Sequence, residues 1–221
     1  MLRICSFILL LGLTSCVLAT PPQQFPENCR ADAAVAQLLA DNWLNQPEVW
    51  RLRQVTLLEI GRKKIPLEGF LRLDLARGEA RLVAMNEMGL VLFDLLVTKD
   101  DQQLKRAVPQ LQQVKGLAAG IAQSLRQIFL QPQPAADDRL ETRGNIQRLR
   151  RLFPGGSLAF LYDCRGELRE TRLMADTADW RVAYDQYRQF GASRLPEQII
   201  MNDYQHGVKL SLWIREVKRE I

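Results

Sequence analysis

The chain has 221 residues, of which 47% are hydrophobic and 25% charged, and its formal net charge at pH 7 is +5. This length suits one large sheet domain or two small ones, and the composition gives no indication of disorder. Because the charge is modest and scattered, a nucleic-acid-binding protein is not expected. The one dense basic cluster, Arg148, Arg150 and Arg151, is typical of a solvated helix face.

The N-terminus has the pattern of a secretory signal. Arg3 precedes an apolar run over residues 4–13, which is too short to span a bilayer. The run ends in Leu13, Thr14, Ser15 and Cys16. This ending resembles the bacterial lipobox, an aliphatic residue and two small residues before a cysteine. The resemblance implies that Cys16 becomes the first mature residue and carries a triacyl anchor.

The residues after this cysteine bear on where the chain is sorted. Cys16 is followed by Val17 rather than by Asp, which in enterobacteria-like sorting implies transfer to the outer membrane. Ordinary cleavage after Ala19 is the alternative. Residues 1–15 are therefore predicted to be a lipoprotein signal peptide, residues 16–27 a lipidated, proline-containing tether, and residues 28–221 a single domain.

Two of the four cysteines remain for the folded domain. Cys5 leaves with the signal and Cys16 is lipidated in this interpretation, so Cys29 and Cys164 are left in an oxidising compartment. They form either a disulfide or two buried thiols. Neither a metal nor another cofactor is expected, because His206 is the single histidine and no Cys or His lies at ligand spacing.

The first half of the predicted domain is a helix followed by strands. Apolar residues recur at helical spacing over residues 29–43, with Asn28 as a candidate cap. Residues 49–60 and 65–75 are predicted strands. Residues 70–98 then form a three-strand meander, with turns at residues 76–79 and 86–89, and a meander this apolar requires a large covering element.

A long amphipathic stripe follows the meander. Apolar residues step by three or four positions from Leu104 to Ile128, while Gly116 and Gly120 weaken the interior of the predicted helix. The charged residues 137–153 suggest a further short surface helix. We therefore expect a helical insertion over about residues 104–153.

Strands return after the insertion, at residues 158–162, 168–174, 180–184, 197–201 and 208–215. The predicted fold class is therefore α+β, mainly β, with an antiparallel sheet interrupted by helices. Such a sheet can close on a filled core or retain an apolar cavity, and the residue pattern does not separate the two.

The sequence contains no zinc-protease helix, phosphate-binding loop or dinucleotide fingerprint. Asp203 and His206 lie close enough in sequence to suggest a hydrolase, but a histidine in a hairpin turn is more typical of a structural or solvated role. The protein is therefore expected not to be an enzyme.

Two regions resemble the LolB-like outer-membrane lipoprotein receptors. The first is the hairpin over residues 81–95, and the second runs from Trp180 through Leu195 and Pro196 to residues 208–214. The resemblance implies a curved antiparallel sheet, or half-open β-barrel, of the LolA/LolB type with a helical lid and an apolar cavity for the acyl chains of lipoproteins. It also implies that Met88, just before Gly89 in the hairpin turn, is an exposed residue that inserts into the membrane. The alternative is an ordinary turn residue that folds back on the sheet. The basic residues 137–153 and the pair Cys29 and Cys164 depart from that family.

The expectation is a monomeric lipoprotein, lipid-anchored on the periplasmic face of the outer membrane. It would bind acyl chains of lipoproteins or other lipids, and would receive its cargo from a periplasmic carrier protein. The alternatives are a structural or assembly lipoprotein that docks a partner protein, and a carrier of another lipid-linked product. The predicted cavity lining is apolar and comes from the meander, the last strand and the lid: Leu71, Leu73, Leu75, Val91, Phe93, Leu95, Ile121, Leu125, Ile128, Leu210, Leu212 and Ile214.

Overall fold

The computed structural model describes residues 25–26, 28–191 and 193–220. Cys16, the predicted signal and most of the predicted tether lie outside the described residues. The described part of the chain forms one twelve-stranded antiparallel sheet in the order β5-β4-β3-β2-β1-β12-β11-β10-β9-β8-β7-β6. The sheet does not close, because β5 and β6 are its two edges, so the predicted half-open, mainly β architecture is confirmed.

The strands in chain order are β1 Val49–Ile60, β2 Lys63–Asp74, β3 Glu79–Met85, β4 Val91–Thr98, β5 Gln102–Ala107, β6 Arg139–Arg143, β7 Ile146–Phe153, β8 Gly156–Asp163, β9 Leu168–Ala175, β10 Ala178–Phe190, β11 Ser193–Asp203 and β12 Val208–Glu220. The helices are α1 Val35–Asp41, a 3-10 turn Trp43–Asn45, α2 Pro109–Gln112 and α3 Leu117–Leu125, and α3 continues as a π-helical turn Arg126–Leu130. None of these described helices is long and apolar enough to cross a membrane.

Because neighbouring strands are antiparallel, the hairpin turns alternate between two ends of the sheet. The turns at residues 61–62, 86–90 and 204–207 lie at one end, which we call the mouth end. The turns at residues 144–145 and 164–167 lie at the opposite end, which we call the tether end.

The N-terminal segment is attached at the tether end. Cys29 is joined to Cys164 by a disulfide, with the two Cα atoms 5.8 Å apart. The backbone N–H of Ala31 donates to the carbonyl oxygen of Gly144 at 3.3 Å. Because these contacts hold residues 29–34 against the sheet in extended form, the helix predicted from residue 29 begins only at Val35, and Asn28 does not cap it.

The helical insertion is shorter than predicted. Its helical part, which we call the lid, spans residues 109–130, and Leu104 lies in β5 instead. Residues 139–153 form the hairpin β6–β7 rather than a surface helix. Gln147 and Leu149 of this hairpin are buried. Burial therefore alternates from residue to residue as in a strand, although the high charge of the segment suggested a surface helix.

The basic cluster is split between the two faces of β7. Arg148 is exposed on one face, whereas Arg151 lies on the other and pairs with Asp138, with Nε at 2.7 Å from Oδ1. The three arginines therefore do not form the solvated helix face that the sequence predicted.

Along β8 to β10 the core reaches the mouth end, where Leu158 and Trp180 are buried. Along β1 to β4 and β12 it fills only the half of the inner sheet face that is nearer to the tether end. We call this region the packed half. It contains the large buried side chains of Trp43, Trp50, Leu52, Leu71, Leu73, Leu95, Val97, Phe129, Tyr184 and Ile214.

Candidate functional site

A cavity of about 400 Å³ lies between the lid and the mouth-end half of the inner sheet face. Six strands, β1 to β4, β11 and β12, form its wall, and residues 114–125 of the lid form its roof. Most of the lining is apolar or glycine: Leu58, Ile60, Leu67, Gly69, Leu82, Ala84, Phe93, Val114, Gly116, Leu117, Gly120, Ile121, Leu125, Met201, Val208, Leu210 and Leu212. The polar lining residues are Gln54, Thr56, Glu68, Lys115, Gln123, Ser124, Asp203 and His206.

The inward side chains of β1 trace the cavity from its floor to its opening. Exposure rises along the strand from 2% at Gln54 through 7% at Thr56 and 9% at Leu58 to 43% at Ile60. The floor therefore adjoins the packed half, and the opening is at the mouth end.

The floor stays open partly because Gly69 has no side chain. Gly69 lies directly opposite both Gln54 and Ala84 in the sheet. A Cβ atom at Gly69 would lie 3.0 Å from Cδ1 of Leu82, which is closer than side chains normally pack. A larger residue here would fill the floor.

The lid is fixed at its C-terminal end by a basic side chain. Arg126 donates hydrogen bonds to the carbonyl oxygens of Thr98 at 2.8 Å and Asp101 at 2.7 Å. It donates a third to Oε1 of Gln102 at 2.9 Å. These contacts hold the end of α3 on the turn between β4 and β5, at the tether end.

Aromatic contacts hold the same end of the lid. The hydroxyl of Tyr184 donates to the carbonyl oxygen of Ile128 at 2.9 Å. The ring of Phe129 meets Trp43 edge-on, with centroids 6.2 Å apart. The last turn of the lid is therefore held at three places: by Arg126 on the β4–β5 turn, by Ile128 on β10 and by Phe129 on Trp43.

The mouth-end part of the lid is packed far less tightly. Gly116, which precedes α3, has φ of +79°. At Gly116 and at Gly120, a Cβ atom would meet no other described atom within 4 Å. Val114 is exposed. The lid therefore has one fixed end and one end with open space around it.

Exposed apolar side chains surround the opening. Met88 and Leu90 of the β3–β4 turn are 86% and 54% exposed, so Met88 is not folded back on the sheet. Oδ1 of Asn86 accepts from the backbone N–H groups of Met88 at 3.0 Å and Leu90 at 2.9 Å, which fixes the turn. We call the exposed set at this opening the apolar rim: Ile60, Ile65, Met88, Leu90 and Val114.

The fold of the chain occurs in solved structures. A LolA superfamily protein from Nitrosomonas europaea matches 86% of this chain and 96% of its own, with a TM-score of 0.55 and 10% identity. The fold is LolA-like. A domain named for outer-membrane lipoprotein sorting, from Vibrio parahaemolyticus, matches 84% of this chain and 90% of its own, with a TM-score of 0.50 and 8% identity. No protein-family model and no curated protein matches the sequence.

Five of the twelve predicted lining residues contact the cavity of this LolA-like fold: Phe93, Ile121, Leu125, Leu210 and Leu212. Leu95 lines a second recess of about 350 Å³ on the other side of α3. The prediction is wrong for Leu71, Leu73, Ile128 and Ile214, which are buried in the packed half. Their alternation marks the inner face, but their position along the strands places them beyond the floor.

The prediction is also wrong for Val91 and Leu75, for local reasons. A register shift pairs Met85 with Val91 and Ala84 with Phe93, so the bulge turns Val91 away from the face that Phe93 shares. Leu75 lies just after the end of β2 and packs against the core. Gln54, Thr56, Leu58, Leu82 and Ala84 were missed, although the alternation of β1 and β3 marks their common face.

The Asp203–His206 pair stabilises a turn. Oδ1 of Asp203 accepts from the backbone N–H of His206 at 2.9 Å and lies 3.0 Å from its ring Nδ1. The imidazole is exposed at the mouth end. Within the described ranges there is no group of three His, Cys, Asp or Glu residues that could hold a metal ion.

Proposed function

We propose that the protein is a non-enzymatic lipid carrier on the periplasmic face of the outer membrane. It binds acyl chains of lipoproteins or other lipids in the cavity and passes them to the membrane. The observation that carries this proposal is the unfilled space between the lid and the mouth-end half of β1 to β4, β11 and β12, whose lining is mostly aliphatic.

The size and chemistry of the cavity suit a hydrocarbon chain. Small-molecule sites typically enclose about 300–1,000 Å³ and have mostly apolar walls, and this cavity of about 400 Å³ lies within that range. Binding is driven by removal of apolar surface from water, so a chain gains free energy whatever headgroup it carries.

The lid supplies a route into the cavity. Because its C-terminal end is fixed by Arg126 and its mouth-end part has open space at Gly116 and Gly120, a chain gains access by displacing the mouth-end part. The packed half keeps the fold intact while this happens.

The apolar rim provides a membrane contact. Inserting one side chain such as Met88 into lipid gains about 1.5–3 kcal/mol, which is enough for contact but not for permanent attachment. A carrier needs such a reversible contact, because it has to release both its cargo and the membrane surface.

The anchor at Cys16 adds a geometric condition. Nine peptide units separate Cys16 from Phe25, and they span at most about 30 Å. Phe25 lies at the tether end, where the guanidinium of Arg169 is 5.9 Å from its ring centroid. Strands of twelve residues are about 40 Å long. Cys16 and Met88 can therefore reach one bilayer only when the strands are inclined to it.

A transfer assay tests this function. The domain is loaded with a pyrene-labelled fatty acid and mixed with vesicles of bacterial phospholipids. We expect the probe to leave the cavity at a rate that increases with vesicle concentration, because release requires membrane contact. A protein that takes up no probe would contradict the proposal, and a release rate independent of vesicle concentration would contradict delivery by contact.

A further inference from the structure

The floor of the cavity contains a polar group without a partner. Gln54 is 2% exposed and lines the cavity at its deepest point on β1. Its Oε1 is fully buried and accepts no hydrogen bond from any described residue. A buried amide in this state is destabilising relative to one that is hydrogen-bonded.

The strand pairing directs this side chain into the cavity. On one side of Gln54 lies Gly69, which has no side chain to cover it, and on the other lies Ile214. The β1–β12 register shift places its extra residue, Arg215, on β12. Strand β1 therefore keeps its alternation, and Gln54 shares the inner face with Leu52 and Thr56. Thr56, one step nearer the opening on the same face, is the next polar residue of β1 that lines the cavity.

We propose that Gln54 selects a single-chain lipid that carries a hydroxyl group on its buried hydrocarbon part. This inference rests on the proposed function, since it assumes that a chain enters the cavity. The Gln54 side chain has one acceptor, its amide oxygen, and two donors on its amide nitrogen. A ligand hydroxyl both donates and accepts, so the hydroxyl can pair with the oxygen or with the nitrogen. A plain hydrocarbon chain pairs with neither atom.

The other end of the ligand lies at the opening. Ile60 lies six positions beyond Gln54, a length of about 20 Å along the strand. Lys115, a cation on the lid, lines the cavity near its exposed mouth-end part. A long-chain carboxylate with its acid group at Lys115 would therefore place the middle or far part of its chain beside Gln54.

Selectivity follows from the cost of leaving a buried group unpaired. A site built around a buried polar group rejects the analogue that lacks the matching group more strongly than an apolar site rejects an added hydroxyl. For one neutral hydrogen bond in a small cavity, we expect about a tenfold preference.

The test measures the Kd of palmitate and of hydroxypalmitates whose hydroxyl moves stepwise from mid-chain to the terminal carbon. Wild-type protein is compared with Gln54→Met, which keeps the side-chain length but removes the amide. The matched control is Gln103→Met, the same substitution at an exposed position of β5 outside the cavity. Thermal unfolding of each variant verifies that it is folded.

We expect one hydroxypalmitate isomer to bind wild-type protein and Gln103→Met about tenfold more tightly than palmitate. In Gln54→Met this preference disappears, and palmitate binds more tightly than it does to wild-type protein. If every isomer binds wild-type protein no better than palmitate, or if the preference persists in Gln54→Met, the inference is overturned while the carrier function stands. If neither palmitate nor any isomer binds wild-type protein, the carrier function fails with it.

Discussion

The hydroxyl of Tyr184 on β10 donates a hydrogen bond of 2.9 Å to the carbonyl oxygen of Ile128 in the last turn of the lid. Both residues are buried. Burial raises the pKa of the Tyr184 hydroxyl above its usual value, so this group remains a protonated donor at any pH where the protein works. This bond joins residues 56 positions apart, and it fixes the end of the lid about which the mouth-end part can move.

Removing this hydroxyl should loosen the lid. Tyr184→Phe leaves the buried Ile128 carbonyl oxygen without its donor, so we expect the free energy of unfolding to fall by about 1–2 kcal/mol in urea denaturation. Release of a bound fatty acid should become faster. Tyr204→Phe is the control, because Tyr204 is exposed in the β11–β12 turn. Equal stability of Tyr184→Phe and wild-type protein would show that the bond does not hold the lid.

Replacing each of the two lid glycines by alanine should change the stability of the protein in opposite directions. Gly120→Ala introduces a better helix former where no described atom obstructs the methyl group, so it should stabilise the protein by about 0.5–1 kcal/mol. Gly116→Ala should destabilise it by about 1 kcal/mol, because φ of +79° is strained for alanine. Thermal unfolding of both variants measures this, and a gain in stability for both would contradict the glycine-dependent turn before α3.

Met88 is predicted to control delivery rather than binding. Met88→Glu places a charge on the apolar rim, so the rate of fatty-acid transfer to vesicles should fall at least about fivefold, while the Kd for the fatty acid stays unchanged. Met174→Glu is the matched control, because Met174 is also an exposed methionine but lies on β9, away from the cavity. An unchanged transfer rate in Met88→Glu would exclude membrane insertion by this turn.

The disulfide should stabilise the domain. Cys29 and Cys164 are separated by 135 residues, and closing so long a loop restricts the unfolded chain strongly, which is typically worth about 2–4 kcal/mol. We expect the Cys29→Ser, Cys164→Ser double variant to lose this amount in urea denaturation. Wild-type protein kept reduced with dithiothreitol should unfold like the variant. A double variant as stable as oxidised wild-type protein would contradict the prediction.

Much of the sheet could be predicted from the sequence because its signals are local. The meander over β2, β3 and β4 has alternating strands joined by turns with glycine, and those features depend on neighbouring residues alone. The β6–β7 hairpin was missed because its charged residues suggested a solvated helix. Its strand character becomes clear only when Gln147 and Leu149 are seen to be buried together.

The cavity was harder to predict, for a physical reason. Alternation identifies the inner face of a strand, but it does not say where along that strand the core stops. Leu73 and Leu212 have the same pattern, yet Leu73 lies in the packed half while Leu212 lines the cavity. Gln54 was not predicted because the expected lining was apolar and its amide is polar, although this amide lies at the floor of the cavity.

The most direct test of the carrier account is native mass spectrometry of the domain over residues 25–220, expressed in bacteria and purified without detergent. The account predicts that a single-chain lipid co-purifies, and that the lipid-free protein binds one added palmitate. Ala84→Trp, which places an indole in the cavity, should bind none while it remains folded. Protein that is free of lipid and stays free of it when palmitate is added in excess would contradict the account.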